Sequence, residues 1–432
     1  MQNTMKQLIY LTAQIDSPFF TNEIGYFCDA FDKVHVVIYN DDTSKCDACA
    51  RQYGFTYQCV NRLPERLKAA RGLLEWRLRP YVREEMRRAS PSFKKKAYVY
   101  YYGLYALSVE RIIAEQLAHG DDIYLYSFWL SRPAFAIASM SLNRVGNLVR
   151  IVSRTHRYDI YEEENPLGYL PFRRFIAENL DVLYFSSKDT CEYYLKKDYA
   201  QGSKRPRFKL SYLGTAEPLN RKVAKNRDRI VIASCAYIIQ RKRLDLIIKV
   251  VHFLSQYGFP IKWIHVGNGD LDETVKANAK DVLGGDNVEY VFTGKLPDEE
   301  IYALYTRENV DFFINMSDSE GIPVSILEAM SMGIPIVARN VGGIADAIVD
   351  GENGILVEKE RVTDDDLKRL SGNIAGVFQD EARYMQMSRG VYAHWRDVFS
   401  GEVNAKRICE DIKSMRTIPE IRRQGKFMEN GE

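Results

Sequence analysis

Short apolar runs alternate along this chain with stretches whose apolar positions recur at helical spacing, and Gly, Pro, Asn and Asp gather between them. A short apolar run bounded by turn residues predicts a buried strand, whereas the helical period predicts an amphipathic helix. On that pattern Leu8–Leu11 and His35–Tyr39 are strands flanking a helix over Asn22–Ala30. Ile123–Tyr126, Val149–Ser153, Val182–Phe185 and Lys209–Leu213 continue the series. A polar stretch, Gly214–Asp228, carries Pro218 and Asn220 and predicts a linker. Beyond it the pattern restarts with strands at Arg229–Ser234, Ile261–Val266, Val288–Phe292, Val310–Met316 and Ile334–Ala338. Helices are predicted over Tyr98–Leu117, Pro323–Met332, Thr363–Phe378, Glu381–Trp395 and Glu402–Met415. Strands that alternate with helices make a parallel α/β sheet, and 432 residues exceed one ordinary core. The expected organisation is an N-terminal domain over 1–215, a second over 222–398, and a terminal helix and tail over 399–432.

Composition changes this picture little. Hydrophobic residues make up 46% and charged residues 27%, and the net charge of +2 gives no global steering toward nucleic acid. No apolar run approaches the roughly 18 residues of a membrane span, and the first residues predict a strand rather than a leader peptide. Seven scattered cysteines fit a reducing compartment, hence a cytoplasmic location. Cys46 and Cys49 form a lone CxxC, which is expected to be a polar loop rather than a metal or redox site. Residues 62–96 differ from the rest, with twelve Lys or Arg against four Glu and with Leu74, Trp76, Leu78, Tyr81 and Val82 interleaved. An anionic membrane surface and a solvated outer helix both fit that pattern, with a peripheral position on the cytoplasmic membrane face under the first.

The chemistry gathers in residues 310–358. A strand there runs into Ser317-Asp318-Ser319-Glu320-Gly321, then a helix, then another strand. Glu320 falls at the carboxyl end of a strand, where open α/β sheets bind ligands. Glu328 lies eight residues further on, about 12 Å along a helix, the reach from a sugar across a diphosphate to a ribose. Between them is a helix N-terminus, which favours phosphate. Gly321 admits close approach, and Pro323 suits the first helical position.

The segment EGIPVSILEAMSMGIPIVA, followed by VGG, resembles the E-x7-E signature of retaining GT-B glycosyltransferases of family 4. Arg154-Thr155-His156-Arg157-Tyr158-Asp159-Ile160-Tyr161, with Gly168–Arg173 downstream, is similar to a subgroup that builds bacterial surface polysaccharides. The resemblance implies two Rossmann-like domains facing across a cleft, with the last helix crossing back to the first domain. It implies sugar transfer from a nucleotide sugar to a glycan or lipid-linked acceptor, with no metal or other cofactor. A GT-B epimerase, a phosphorylase and a non-catalytic binding module are the alternatives. Among site residues it implies Glu320 on the sugar, Glu328 on the ribose, and His156 beside the sugar from the opposite domain. Lys242 and the N–H groups of Gly321, Ile322 and Val324 are implied on the diphosphate, and Lys295 and Leu296 beside the base. Tyr237 stands where many members carry Arg; either Arg241 or Arg243 compensates, or the subgroup works without that cation. Arg154 and Arg173 either face an anionic acceptor or donor phosphate, or pair with Glu162–Glu164.

Overall fold

The computed structural model describes residues 4–15, 17–39, 43–60, 72–117, 120–143, 147–197, 207–218, 228–285, 287–357 and 361–414. The N-terminal domain is built on seven parallel strands: β1 Lys6–Thr12, β2 Lys33–Ile38, β3 Thr56–Cys59, β4 Asp122–Ser127, β5 Leu148–Arg154, β6 Val182–Phe185 and β7 Arg207–Leu210. Their order in space is β3-β2-β1-β4-β5-β6-β7. The second domain repeats the plan with β8 Ile230–Cys235, β9 Ile261–Val266, β10 Val288–Gly294, β11 Phe312–Asn315, β12 Ile336–Arg339 and β13 Gly354–Val357, ordered β10-β9-β8-β11-β12-β13. In each sheet the order of the strands reverses at one point, between β1 and β4 and between β8 and β11. The crevices at the carboxyl ends of those strands are the natural ligand sites.

The strand interiors are apolar on both faces because helices cover both. One face of the first sheet packs against the helices Phe93–Leu117 and Arg132–Met140, and the other against Pro18–Ala30. The helix Gly401–Ser414 leaves the second domain and packs on Pro18–Ala30, so Cys409 and Ile412 finish the core of the first. Lys413 Nζ donates to the Ala30 carbonyl at 2.6 Å, and Asp411 accepts from the Tyr184 hydroxyl at 2.6 Å. At the crossing, Thr215 and Ser400 form a parallel bridge and the Gly214 and Gly401 backbones touch. A Cβ on Gly214 would stand 2.4 Å from the Gly401 Cα.

Several elements differ from expectation. The Cys46–Cys49 segment is not a loop but part of the helix Thr43–Tyr53. Cys46, Cys49, Ala50 and Tyr53 recur at helical spacing and join the core, and that burial outweighs a polar average composition. All seven cysteines are free thiols. The strands β3 and β13 lie at sheet edges and have four residues each, too short to stand out by periodicity. Of the basic stretch 62–96, residues 62–71 lie outside the described residues, as does most of the Gly214–Asp228 linker. In the described part Trp76 and Val82 are buried. Trp76 lies on Gly103, where a Cβ would stand 2.6 Å from the indole. Leu74 and Leu78 are exposed, and Phe93 is 83% exposed.

Candidate active site

The loop after β11 is held from several sides. The Asp318 N–H donates to the Arg241 carbonyl at 2.9 Å, and the Asp318 carboxylate accepts from Arg243 at 3.1 Å and from Arg339. Arg241 Nη1 donates to the Ser319 carbonyl at 3.3 Å. Lys242, at the end of the turn after β8, donates from Nζ to Glu320 Oε1 at 2.5 Å. Glu320 is 5% exposed, so this pair is largely removed from water. A loop tied down this way fixes a carboxylate and an ammonium side by side, which is what electrostatic preorganisation requires.

The VGG segment has a steric reason. Gly342 has φ +54°, and a Cβ there would stand 1.9 Å from the Glu320 carbonyl oxygen. Gly343 donates to that carbonyl at 3.3 Å. Only glycine lets this loop support Glu320 so closely.

The helix that follows is Val324–Ser331, with Pro323 at the N-cap rather than inside the helix. Among the described residues the N–H groups of Gly321, Ile322 and Val324 have no hydrogen-bond partner. They form the free N-terminus expected of an anion site. Glu328 sits on this helix, 7% exposed. Burial, reinforced by nearby Asp298, raises its carboxyl from 4.5 to about 7. Asp298 begins the helix Asp298–Arg307, directly after Lys295, Leu296 and Pro297. Glu328 is therefore beside the turn that carries Lys295, which is exposed, and Leu296, which packs into the core. Across from it, Gly267 and Gly269 meet the backbone of 236–238, where a Cβ would stand 2.0 Å from the Ala236 oxygen or 2.5 Å from the Ile238 oxygen. Tyr237 is 63% exposed at this rim.

His156 follows β5, inside a wall of Phe128 and Trp129 whose ring centroids are 4.4 and 4.2 Å away. Burial, with the nearby Arg154 charge second, holds its pKa well below the ordinary value, so the ring is neutral at physiological pH. Neither ring nitrogen has a hydrogen-bond partner among the described residues. Asp159 fixes the loop by accepting from the His156 and Leu130 N–H groups, each at 2.7 Å.

Two expected ligand contacts are corrected. Arg154 and Arg173 are each only 2% exposed, inside the N-terminal domain. Arg154 pairs with Glu23 at 2.8 Å and donates to the Ser211 and Tyr212 carbonyls. Arg173 donates to the Asp159 and Ile160 carbonyls and lies under the Tyr194 ring. Glu164 takes Arg157, and Lys197 takes Glu162. Arg157 reaches the opposite domain instead, its Nη2 donating to Ser319 Oγ at 2.8 Å, and the Lys188 N–H also crosses, donating to the Asp346 carboxylate at 2.8 Å. The signal of Arg157 in the sequence was its place next to His156. Trp129, at the end of β4, was visible only as an aromatic past a strand.

Two Rossmann-like domains, each a parallel sheet covered by helices, give the chain a GT-B fold. Residues 216–392 match the family "Glycosyl transferases group 1". It is 25% identical over 330 residues to the GDP-mannose-dependent alpha-(1-6)-phosphatidylinositol monomannoside mannosyltransferase of Mycolicibacterium smegmatis, covering 72% of this chain and 80% of that one. It is 26% identical over 188 residues to the amylovoran biosynthesis glycosyltransferase AmsK of Erwinia amylovora, covering 43% and 44%. In fold it is similar to Anabaena HepE in complex with UDP and glucose, with a TM-score of 0.60 at 16% identity over 95% of this chain and 100% of that one. Sucrose-phosphate synthase from Thermosynechococcus elongatus has a TM-score of 0.63 at 15% identity, over 95% and 98%.

Proposed function

We propose that this glycosyltransferase moves a sugar from a nucleoside diphosphate sugar to a hydroxyl of a glycan or lipid-linked acceptor in bacterial surface glycan synthesis, with retention at the anomeric carbon. The observation that carries the reading is the Lys242–Glu320 pair at 2.5 Å beside the unpaired N–H groups of Gly321, Ile322 and Val324. The helix N-terminus and Lys242 take the diphosphate, Glu320 takes sugar hydroxyls, and Glu328 takes the ribose. Neutral His156 offers a hydrogen bond to the sugar from the other domain. The anomeric carbon–oxygen bond breaks with its electron pair passing to the diphosphate. The acceptor oxygen bonds to that carbon on the same face, and its proton passes to the released diphosphate. Lys242 and the helix N-terminus supply positive charge where it develops, which supports a reaction without a metal. The names of the mannosyltransferase and amylovoran relatives support lipid-linked or polysaccharide acceptors.

The exposed Leu74, Leu78 and Phe93, set among Arg77, Arg83, Arg87, Arg88 and Lys94, support docking on the anionic cytoplasmic face of a membrane. Among the described residues no helix is long and apolar enough to cross one.

The decisive assay is a nucleotide-sugar panel read by thermal shift, followed by product analysis with and without acceptor. Binding of one donor and its loss in Lys242→Ala, with transfer abolished in Glu320→Ala, supports the reading. Near-normal transfer in both variants removes it, and acceptor-independent isomerisation of the donor sugar makes the chain an epimerase instead. Co-sedimentation with anionic liposomes, unchanged after neutralising Arg77, Arg83, Arg87 and Arg88, would remove the membrane part alone.

A further inference from the structure

A departing nucleoside diphosphate carries about −3 charge near neutrality, its terminal phosphate having a second pKa near 6. Lys242 brings one positive charge, already engaged by Glu320 at 2.5 Å. The other cations of the second domain near this loop are committed. Arg243 pairs with Asp245 and Asp318, Arg339 with Asp318, and Arg241 holds the Ser319 carbonyl. Glu320 offsets Lys242, and Arg241 turns its charge to a backbone carbonyl, so the second domain sets fewer positive charges here than the roughly three negative ones of the leaving group.

The N-terminal domain offers the missing charge. Arg157 crosses to the loop that ends in Glu320, donating from Nη2 to Ser319 Oγ at 2.8 Å. Its Cβ lies 3.9 Å from the place a Cβ on Gly321 would occupy, next to the free N–H groups of the anion site. The guanidinium is packed over the Tyr161 ring, 4.9 Å from its centroid, and is paired with Glu164. Its Nε is buried and has no hydrogen-bond partner among the described residues. A guanidinium held by a ring, a carboxylate and a hydroxyl, with one buried N–H unused, is preorganised to accept a further oxyanion.

We propose that Arg157 is the second cation on the leaving diphosphate, supplied from the N-terminal domain, and that Glu164 holds it in place and competes with the nucleotide for it. The inference rests on the glycosyltransferase reading above. As the anomeric carbon–oxygen bond breaks and its electron pair passes to the phosphate oxygen, Arg157 stabilises that charge from one side of the cleft and Lys242 from the other. A planar fork suits two phosphate oxygens, which a lysine cannot match. Because the two cations sit on different domains, full charge stabilisation exists only when both domains close on the donor.

The test uses the full chain and a panel of nucleoside diphosphates, UDP, GDP, ADP and CDP, each beside its monophosphate. For the base that binds, Arg157→Gln is expected to weaken the diphosphate about tenfold or more, the loss of a charge-assisted hydrogen bond, and to leave the monophosphate unchanged. Arg157→Lys restores part of that affinity. Glu164→Gln acts in the opposite direction and tightens the diphosphate, a gain that damage to the fold does not produce. With the matching nucleotide sugar, Arg157→Gln lowers kcat more than it raises KM. An unaltered diphosphate-to-monophosphate preference in both Arg157→Gln and Glu164→Gln, with Lys242→Gln impaired, overturns this inference alone. If no nucleotide binds, or if Lys242→Gln binds as the wild type does, the donor-site reading falls with it.

Discussion

Glu328 gives a prediction in which stability and function move in opposite directions. Its carboxyl is raised from 4.5 to about 7 because it is buried on a helix with Asp298 nearby. Holding the ionised form in the folded chain above pH 7 costs about 3 kcal/mol, at roughly 1.4 kcal/mol per tenfold change in proton affinity. A folded-state value above the unfolded one means the penalty is absent below pH 4.5, grows from there to about pH 7, and is constant above. Glu328→Gln keeps the shape and removes the charge. At pH 8 it is therefore expected to raise the unfolding free energy by up to about 3 kcal/mol, and near pH 4.5 to change it little. Ribose binding moves the other way. A carboxylate accepts from two hydroxyls and an amide does so less well, so nucleotide affinity at pH 8 falls by about tenfold or more. In the wild type the same affinity falls as the pH drops through 7 and Glu328 takes up its proton; in the variant that dependence flattens. Thermal denaturation and nucleotide titration from pH 5 to 8 measure both. A Gln variant that is less stable than wild type at pH 8, or that keeps the wild-type pH profile of binding, refutes the reasoning. A site that weakens the fold in return for binding is the usual stability–activity conflict.

Gly342→Ala is expected to abolish transfer and to destabilise by about 1–3 kcal/mol, because its Cβ would stand 1.9 Å from the Glu320 oxygen. Gly351→Ala, at φ +78° with nothing within 4 Å, is the control, with backbone strain of about 1–2 kcal/mol and activity kept. Melting and initial-rate measurements on the two separate strain from displacement of Glu320. Arg154→Met leaves the Glu23 carboxyl buried beside Tyr10 and Tyr126, at a cost of about 3–5 kcal/mol. Burial already raises the Glu23 pKa, and without Arg154 it rises further. The destabilisation therefore shrinks as pH falls and Glu23 becomes neutral, and Glu23→Met with Arg154→Met recovers most of it. Denaturation at several pH values reads both effects.

Much of the fold was legible because buried parallel strands announce themselves as apolar runs and their helices by period. The expected Thr363–Phe378 and Glu381–Trp395 helices are observed as Asp364–Gln379 and Glu381–His394. The Cys46–Cys49 helix was misread because its amphipathic stripe is carried by Cys, Ala and Tyr within a polar average. The short edge strands β3 and β13 gave too few residues for a period to register.

Which peptide carries the chemistry could be read in one dimension. The Glu320–Glu328 spacing, the helix N-terminus between them and the glycines that follow are local, and local patterns survive in one dimension. The partners of that peptide came from the fold. Lys242 meets Glu320 across 78 positions and Arg157 meets Ser319 across 162. Arg154 and Arg173 occupy ligand-side places in the sequence, yet sheet and helix packing turns them inward. A charged side chain reads the same in sequence whether it faces ligand or core. The difference lies in what the folded chain brings against it, because burial and electrostatic pairing depend on distance in space rather than along the chain.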